Sequence, residues 1–170
     1  GVTYVTTTGD TTVTIGGGII GADTSATNAS IDGSDGMAVA ITAATGDLTV
    51  GAGYAAGDYI VSSGLTGASA ARNAAQATSV SAMSAGAKYV SGDMTFNVGY
   101  VSGESTDVAL ATAASGSEDS YEKVAASIDY AVAGGVTATV GYADESRSDE
   151  GTSQTANSGT SWYIGANVSF

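Results

Sequence analysis

The sequence predicts an all-β fold, a transmembrane antiparallel up-and-down β-barrel to which this chain contributes about nine strands. Apolar and polar residues alternate with a two-residue period, glycines suited to tight turns recur between the alternating runs, and aromatic residues recur at matched distances from those turns. The first hairpin is expected over 1–8 and 11–22 around Gly9-Asp10, and the second over 37–44 and 47–57 around Gly46-Asp47. The third follows over 79–91 and 93–103 around Gly92-Asp93, and the fourth over 120–132 and 135–144 around Gly134-Gly135. A last strand, 160–170, carries Trp162, Ile164, Ala166, Val168 and Phe170 on one file and Tyr163, Gly165, Asn167 and Ser169 on the other. The chain reads as a single domain, 1–170.

Three of the turns are followed by related strands, Leu48–Tyr54, Met94–Tyr100 and Val136–Tyr142, with the tyrosine eight positions beyond the turn glycine each time. Eight residues at about 3.3 Å each, tilted by roughly 40°, rise about 20 Å, close to the roughly 25 Å apolar band of a membrane barrel. Tyr54, Tyr100, Tyr142 and Trp162 are therefore expected at an upper membrane interface, with Tyr4, Tyr89, Tyr130 and Phe170 at a lower one.

Parity supports the same reading. Met83, Ala85, Ala87 and Tyr89 share a file, as do Met94, Phe96, Val98 and Tyr100, Val124, Ala126, Ile128 and Tyr130, and Val136, Ala138, Val140 and Tyr142. The opposite file holds Lys88, Asn97, Lys123, Asp129 and Asn167, which become candidate pore-lining residues. Lysine on the lipid face near the midplane costs about 2–4 kcal/mol, so its confinement to one file is meaningful. Glu122 departs from this parity and is placed at a strand mouth.

Composition narrows the chemistry. The chain has no Cys, His or Pro, so disulfides, thiolate metal sites and a histidine general base are absent. No catalytic residue and no resident metal or cofactor is expected. Four basic against seventeen acidic residues give a net charge of −13, which disfavours nucleic acid as a partner. No apolar run reaches the roughly 20 residues of a membrane helix, a test that strands evade. No leader pattern is present, so a mature or truncated chain is expected.

Longer segments at about 23–36, 57–79, 103–119 and 144–160 separate the hairpins and carry most of the acids, including Asp32, Asp35, Glu118, Asp119 and the run from Asp144 to Glu150. Short turns on one side and long loops on the other match the asymmetry of outer-membrane barrels. These acidic loops read as solvated surface, or as holders of divalent cations bridging to lipopolysaccharide or a neighbouring subunit. The strand count is odd, and counting back from the last strand starts the first on the loop side. A carboxy-terminal part of a larger barrel is expected. The alternative is an eight-stranded barrel beginning at Thr11 after a ten-residue extension.

The hairpins Met37–Tyr54 and Ala125–Tyr142, together with terminal Phe170, resemble general diffusion porins of the bacterial outer membrane, in particular the sixteen-stranded trimeric type of purple photosynthetic bacteria and their relatives. The resemblance covers most of the chain at the level of strand pattern, and Gly-Tyr hairpins recur across barrels generally. It implies a homotrimer in the outer membrane, contact with lipid and lipopolysaccharide, and recognition of the terminal aromatic strand by the barrel assembly machinery. It implies passive diffusion of ions and small hydrophilic solutes. In that family an in-folded loop forms the constriction; no segment here matches it, so no constriction residue is carried over. A surface-layer or adhesin β-domain is the alternative from another class, distinguished by solubility without detergent.

Overall fold

The computed structural model describes residues 1–22, 34–61, 76–107, 117–149 and 156–169. They form one antiparallel sheet in simple chain order: β1 (Val2–Thr8), β2 (Thr11–Ala22), β3 (Ser34–Thr45), β4 (Leu48–Val61), β5 (Gln76–Ser91), β6 (Met94–Asp107), β7 (Ser117–Ala133), β8 (Val136–Asp149) and β9 (Asn157–Val168). Every strand hydrogen-bonds only to its neighbours in sequence, which is an up-and-down meander. The sheet does not close on itself: within the described residues β1 and β9 each present one unpaired edge.

Each hairpin is closed by two residues. Gly9, Gly46 and Gly92 have φ of 60°, 52° and 58°, while the Asp after each lacks positive φ. Positive φ at the first central residue alone is the pattern of a type II′ turn, whose twist matches the strands it joins. The fourth turn differs, with positive φ on its second glycine, Gly135 (81°), as in a type II turn. Such a turn splays the strands, and the ladder absorbs the mismatch in a bulge between Ala131 and Ala133. Successive hairpins are also tied below their ladders. Val90 N–H donates to the Asp47 carbonyl (2.9 Å), Ala131 N–H to that of Asp93 (2.9 Å), and Ser169 N–H to that of Gly135 (2.8 Å).

All nine expected strands are present, and most of them are longer than expected on the side away from the turns. The run Asp144–Asp149 belongs to β8 and not to a loop, and Glu118 and Asp119 belong to β7. Backbone pairing overrides the low strand propensity of Ser, Asp and Glu there, because each residue extends an existing ladder. Glu122 therefore lies inside β7 rather than at its mouth. Seven residue pairs join β1 to β2, so the amino-terminal residues form a ninth strand and not an extension before an eight-stranded barrel.

The sheet has no interior. Among the described residues Ala143 is the one buried hydrophobic, whereas Ile19, Trp162 and Ile164 are 85%, 75% and 89% exposed. A single layer with large apolar groups along one whole face requires a second apolar phase to cover it.

Candidate functional site

Register divides the sheet into two chemically distinct faces. One face carries four directly opposed pairs: Ile19–Met37, Tyr54–Met83, Tyr100–Val124 and Tyr142–Trp162. Each pair lies two residues nearer the turns than the one before it, since Met37 opposes Ala56, Met83 opposes Ser102, and Val124 opposes Asp144. Tyr89 and Tyr130 show the same step: the Tyr89 row passes through Phe96 and Ile128, and Tyr130 stands two residues beyond it. Tyr4 keeps the rule, four strands and four residues from Tyr89 through Leu48, Thr45, Thr11 and Thr8. A drift of one residue per strand, at about 3.3 Å per residue and about 4.8 Å between strands, describes two parallel belts crossing strands tilted by about 35°. That lies in the range of membrane barrels.

The belts lie six residues apart, Met83 to Tyr89 on β5 and Val124 to Tyr130 on β7. At that tilt the Cα levels are about 16 Å apart, not the expected 20 Å. The eight-residue interval runs from a turn glycine to the upper belt and so overstates the distance between belts. The phenols lengthen the band on the upper side. Tyr100 Oη donates to Glu122 Oε1 (3.1 Å) and Tyr142 Oη to Asp144 Oδ2 (3.5 Å), both acceptors beyond the belt. Glu122 thus shares the face of the aromatic residues, above the apolar band, which explains its parity. The rings of Tyr142 and Trp162 lie 4.7 Å apart at 56°. Phe170 falls outside the described residues.

The opposite face carries Lys88, Asn97, Lys123, Asp129 and Asn167, as parity required. Three of these join larger groups. Asn97 Nδ2 donates to Ser127 Oγ (3.1 Å) and to Asp129 Oδ2 (2.9 Å), and Thr139 Oγ1 donates to Asp129 Oδ1 (2.6 Å). Lys123 Nζ lies 3.7 Å from Glu145 Oε2. Lys88 sits directly across from Asn97, and Asn167 across from Thr137.

Sequence reasoning missed Glu145, Arg147 and Tyr121. The Arg147 guanidinium stacks 5.1 Å from the centre of the Tyr121 ring. Continuing the alternation past Tyr142 reaches the first two, but the acidic run around them has the composition of a loop. Tyr163 also belongs to this face, and its ring lies across Gly141. Among the described residues no group of three or more acidic side chains is placed to hold a metal ion. Alternation explains this, because it sends Asp144 and Glu145 to opposite faces.

A single tilted meander with belted aromatics on one face and hydrogen-bonded polar groups on the other is the fold of an outer-membrane β-barrel. Two solved structures share it. The chain is similar to the outer-membrane expressed OmpT of Vibrio cholerae (TM-score 0.63, 16% identity, covering 98% of this chain and 54% of that one). It is also similar to a loop L8 deletion mutant of OmpT, described as an outer membrane protein of the same organism (TM-score 0.58, 21% identity, covering 98% and 51%). The chain thus spans about half the length of the structures it matches. No protein-family model and no curated protein matches it.

Proposed function

We propose that this chain is part of a porin of the bacterial outer membrane, whose water-filled barrel passes ions and small hydrophilic solutes by diffusion. The observation that carries the reading is inverted polarity in a single-layer sheet. The belted apolar face suits lipid, and the face with Lys88, Asn97, Asp129 and the Lys123–Glu145 pair suits a wet lumen. Solutes are sorted by size and by the field of the wall charges. The sequence lacks His and Cys, so a nucleophile activated by histidine has no partner within it, and transport without catalysis is the simpler assignment.

Backbone groups left unpaired in hydrocarbon are costly, so the edges of β1 and β9 must be closed by further strands. Both edge strands run in the same direction, and an all-antiparallel circuit therefore needs an odd number of additional strands. A second copy placed by simple rotation would set β9 parallel to β1 and breaks the pattern. Outer-membrane lipid and lipopolysaccharide are the partners of the apolar face, a homotrimer is the assembly, and the terminal strand is the part the barrel assembly machinery reads.

The test is conductance of the full-length protein containing this sheet, purified folded and added to planar bilayers. Stepwise increments that scale with salt concentration are expected. Folded protein that inserts and never conducts overturns the reading.

A further inference from the structure

The lumenal face of this sheet is not uniform. One straight row of opposed residues reads Gly18, Ala38, Ala55, Ala82, Gly103, Tyr121, Arg147 from β2 to β8. The next row toward the loop side begins Ile20, Gly36, Gly57, Val80. Together the β2–β5 parts of these rows line a shallow groove of about 470 Å³, mostly small and apolar, with Asp35 and Asp58 also in its lining. Lumenal charges lie outside this groove: Lys88 nearer the turns on β5, and Lys123, Asp119, Asp129, Glu145 and Arg147 on β7 and β8, with Asp107 and Asp149 at register positions on the same side. Both signs are therefore present on this side, with carboxylates in excess. Further acids, Asp35, Asp58, Glu104, Glu118, Glu122 and Asp144, share the apolar-belt face, beyond the upper belt.

Resting on the porin reading, we propose that the apolar row and the charged wall together form a docking track for small zwitterions with an apolar side chain. The occupant follows from complementarity. From Ala82 on β5 to Tyr121 on β7 is two strand spacings, about 10 Å, the size of an amino acid or dipeptide. The side chain covers Ala38, Ala55 and Ala82, which have no polar side chain to satisfy. The ammonium and carboxylate reach the Lys123–Glu145 and Tyr121–Arg147 side, where both signs are present. A sugar has hydroxyls all round and gains nothing from the apolar half.

The test compares leucine with asparagine, zwitterions of nearly equal size, and with a neutral pentose, in liposomes carrying the full-length protein. At low concentration labelled leucine should enter about fourfold faster than asparagine, the factor expected from covering roughly one methylene. Excess unlabelled leucine should slow leucine and leave the pentose unchanged. Ala55→Asn with Ala82→Asn should bring the leucine-to-asparagine ratio to about one at an unchanged pentose rate. Equal entry of the two amino acids alongside rapid pentose entry overturns the track and leaves the pore. No pentose entry overturns the pore itself.

Discussion

The hairpins β3–β4 and β7–β8 present apolar residues of one kind to one side and differ in charge on the other. Facing lipid, the first offers Met37, Val39, Ile41, Val50, Ala52 and Tyr54, and the second Val124, Ala126, Ile128, Ala138, Val140 and Tyr142. On the other side the two share Ala38 and Ala125, Gly53 and Gly141, and Ala55 and Ala143 at matched positions, but where the first has Gly36, Thr42, Gly51 and Gly57 the second has Lys123, Asp129, Thr139 and Glu145. The lipid fixes what a residue on its side can be, because there is no water to solvate a mistake. Water in the lumen accepts alanine and lysine alike, so that face is free to carry function. The shared apolar face records the membrane, and the difference in charge marks the face that can carry function.

The largest effect should come from breaking this distinction at neighbouring residues. Ala126 lies on the lipid face of β7 between Val124 and Ile128, and Ala125 points the other way. Ala126→Lys is expected to cost about 2–4 kcal/mol near the bilayer centre. Ala125→Lys, on the wet side, should stay within about 0.5 kcal/mol, as surface changes do. Reversible urea unfolding from liposomes measures both. Equal costs would mean that the two faces have been assigned wrongly.

A second contrast concerns the glycine that precedes each belt tyrosine. An added Cβ at Gly141 would enter the ring of Tyr163, while at Gly99 its nearest contact is the Ala85 carbonyl at 3.9 Å. Gly53 is intermediate, with Ser84 Oγ at 3.2 Å. Gly141→Ala should therefore destabilise by about 1–3 kcal/mol through overpacking. Gly99→Ala should be neutral or slightly stabilising, since it restricts the unfolded chain. The same unfolding series decides it. A Gly99→Ala cost as large as that of Gly141→Ala would show that the repeat itself, and not Tyr163, demands glycine.

Much of this was legible from the one-dimensional pattern because a barrel strand is a one-dimensional object. Alternation assigned the faces of Lys88, Asn97, Lys123 and Asp129, and the turn glycines located all four hairpins. Register between hairpins was not legible. It depends on how β4 meets β5 and β6 meets β7, which no local residue announces, and so the turn-to-tyrosine interval overstates the distance between the belts. The same gap hid the upper wall. Asp144, Ser146 and Ser148 have the composition of a loop, yet they alternate with Ala143, Glu145 and Arg147 on an extended ladder. Charged residues beyond the apolar band lose the hydropathy signal while the strand continues into water.

The belts yield the next prediction. Trp162 is the chain's single tryptophan, and it stands opposite Tyr142 with ring centres 4.7 Å apart. A tilted aromatic pair contributes about 0.5–1.5 kcal/mol beyond area burial. A double-mutant cycle with Tyr142→Leu and Trp162→Leu should return a coupling of that size. The fluorescence of Trp162 also reports depth. Lipids brominated near the headgroup should quench it more strongly than lipids brominated near the chain ends, and the reverse order would remove it from the interface.

The smallest expected effect separates the lumenal ion pair from the fold. Lys123 and Glu145 are 3.7 Å apart with about 40% of each side chain exposed (39% and 43%), so water screens them and holding both side chains still has an entropic cost. Their coupling should be about 0.2–1 kcal/mol and should fade at high salt as the Debye length shortens to about 3 Å. Glu145→Gln should thus leave unfolding almost unchanged while freeing one cation on the lumenal wall and, on the porin reading, shifting the zero-current potential toward anions. A shift in ion preference without a loss of stability is the outcome expected of a wall residue. A stability loss above about 2 kcal/mol, with ion preference unchanged, would make the pair part of the scaffold and place the lumenal charge that matters at Lys88 or Arg147 instead.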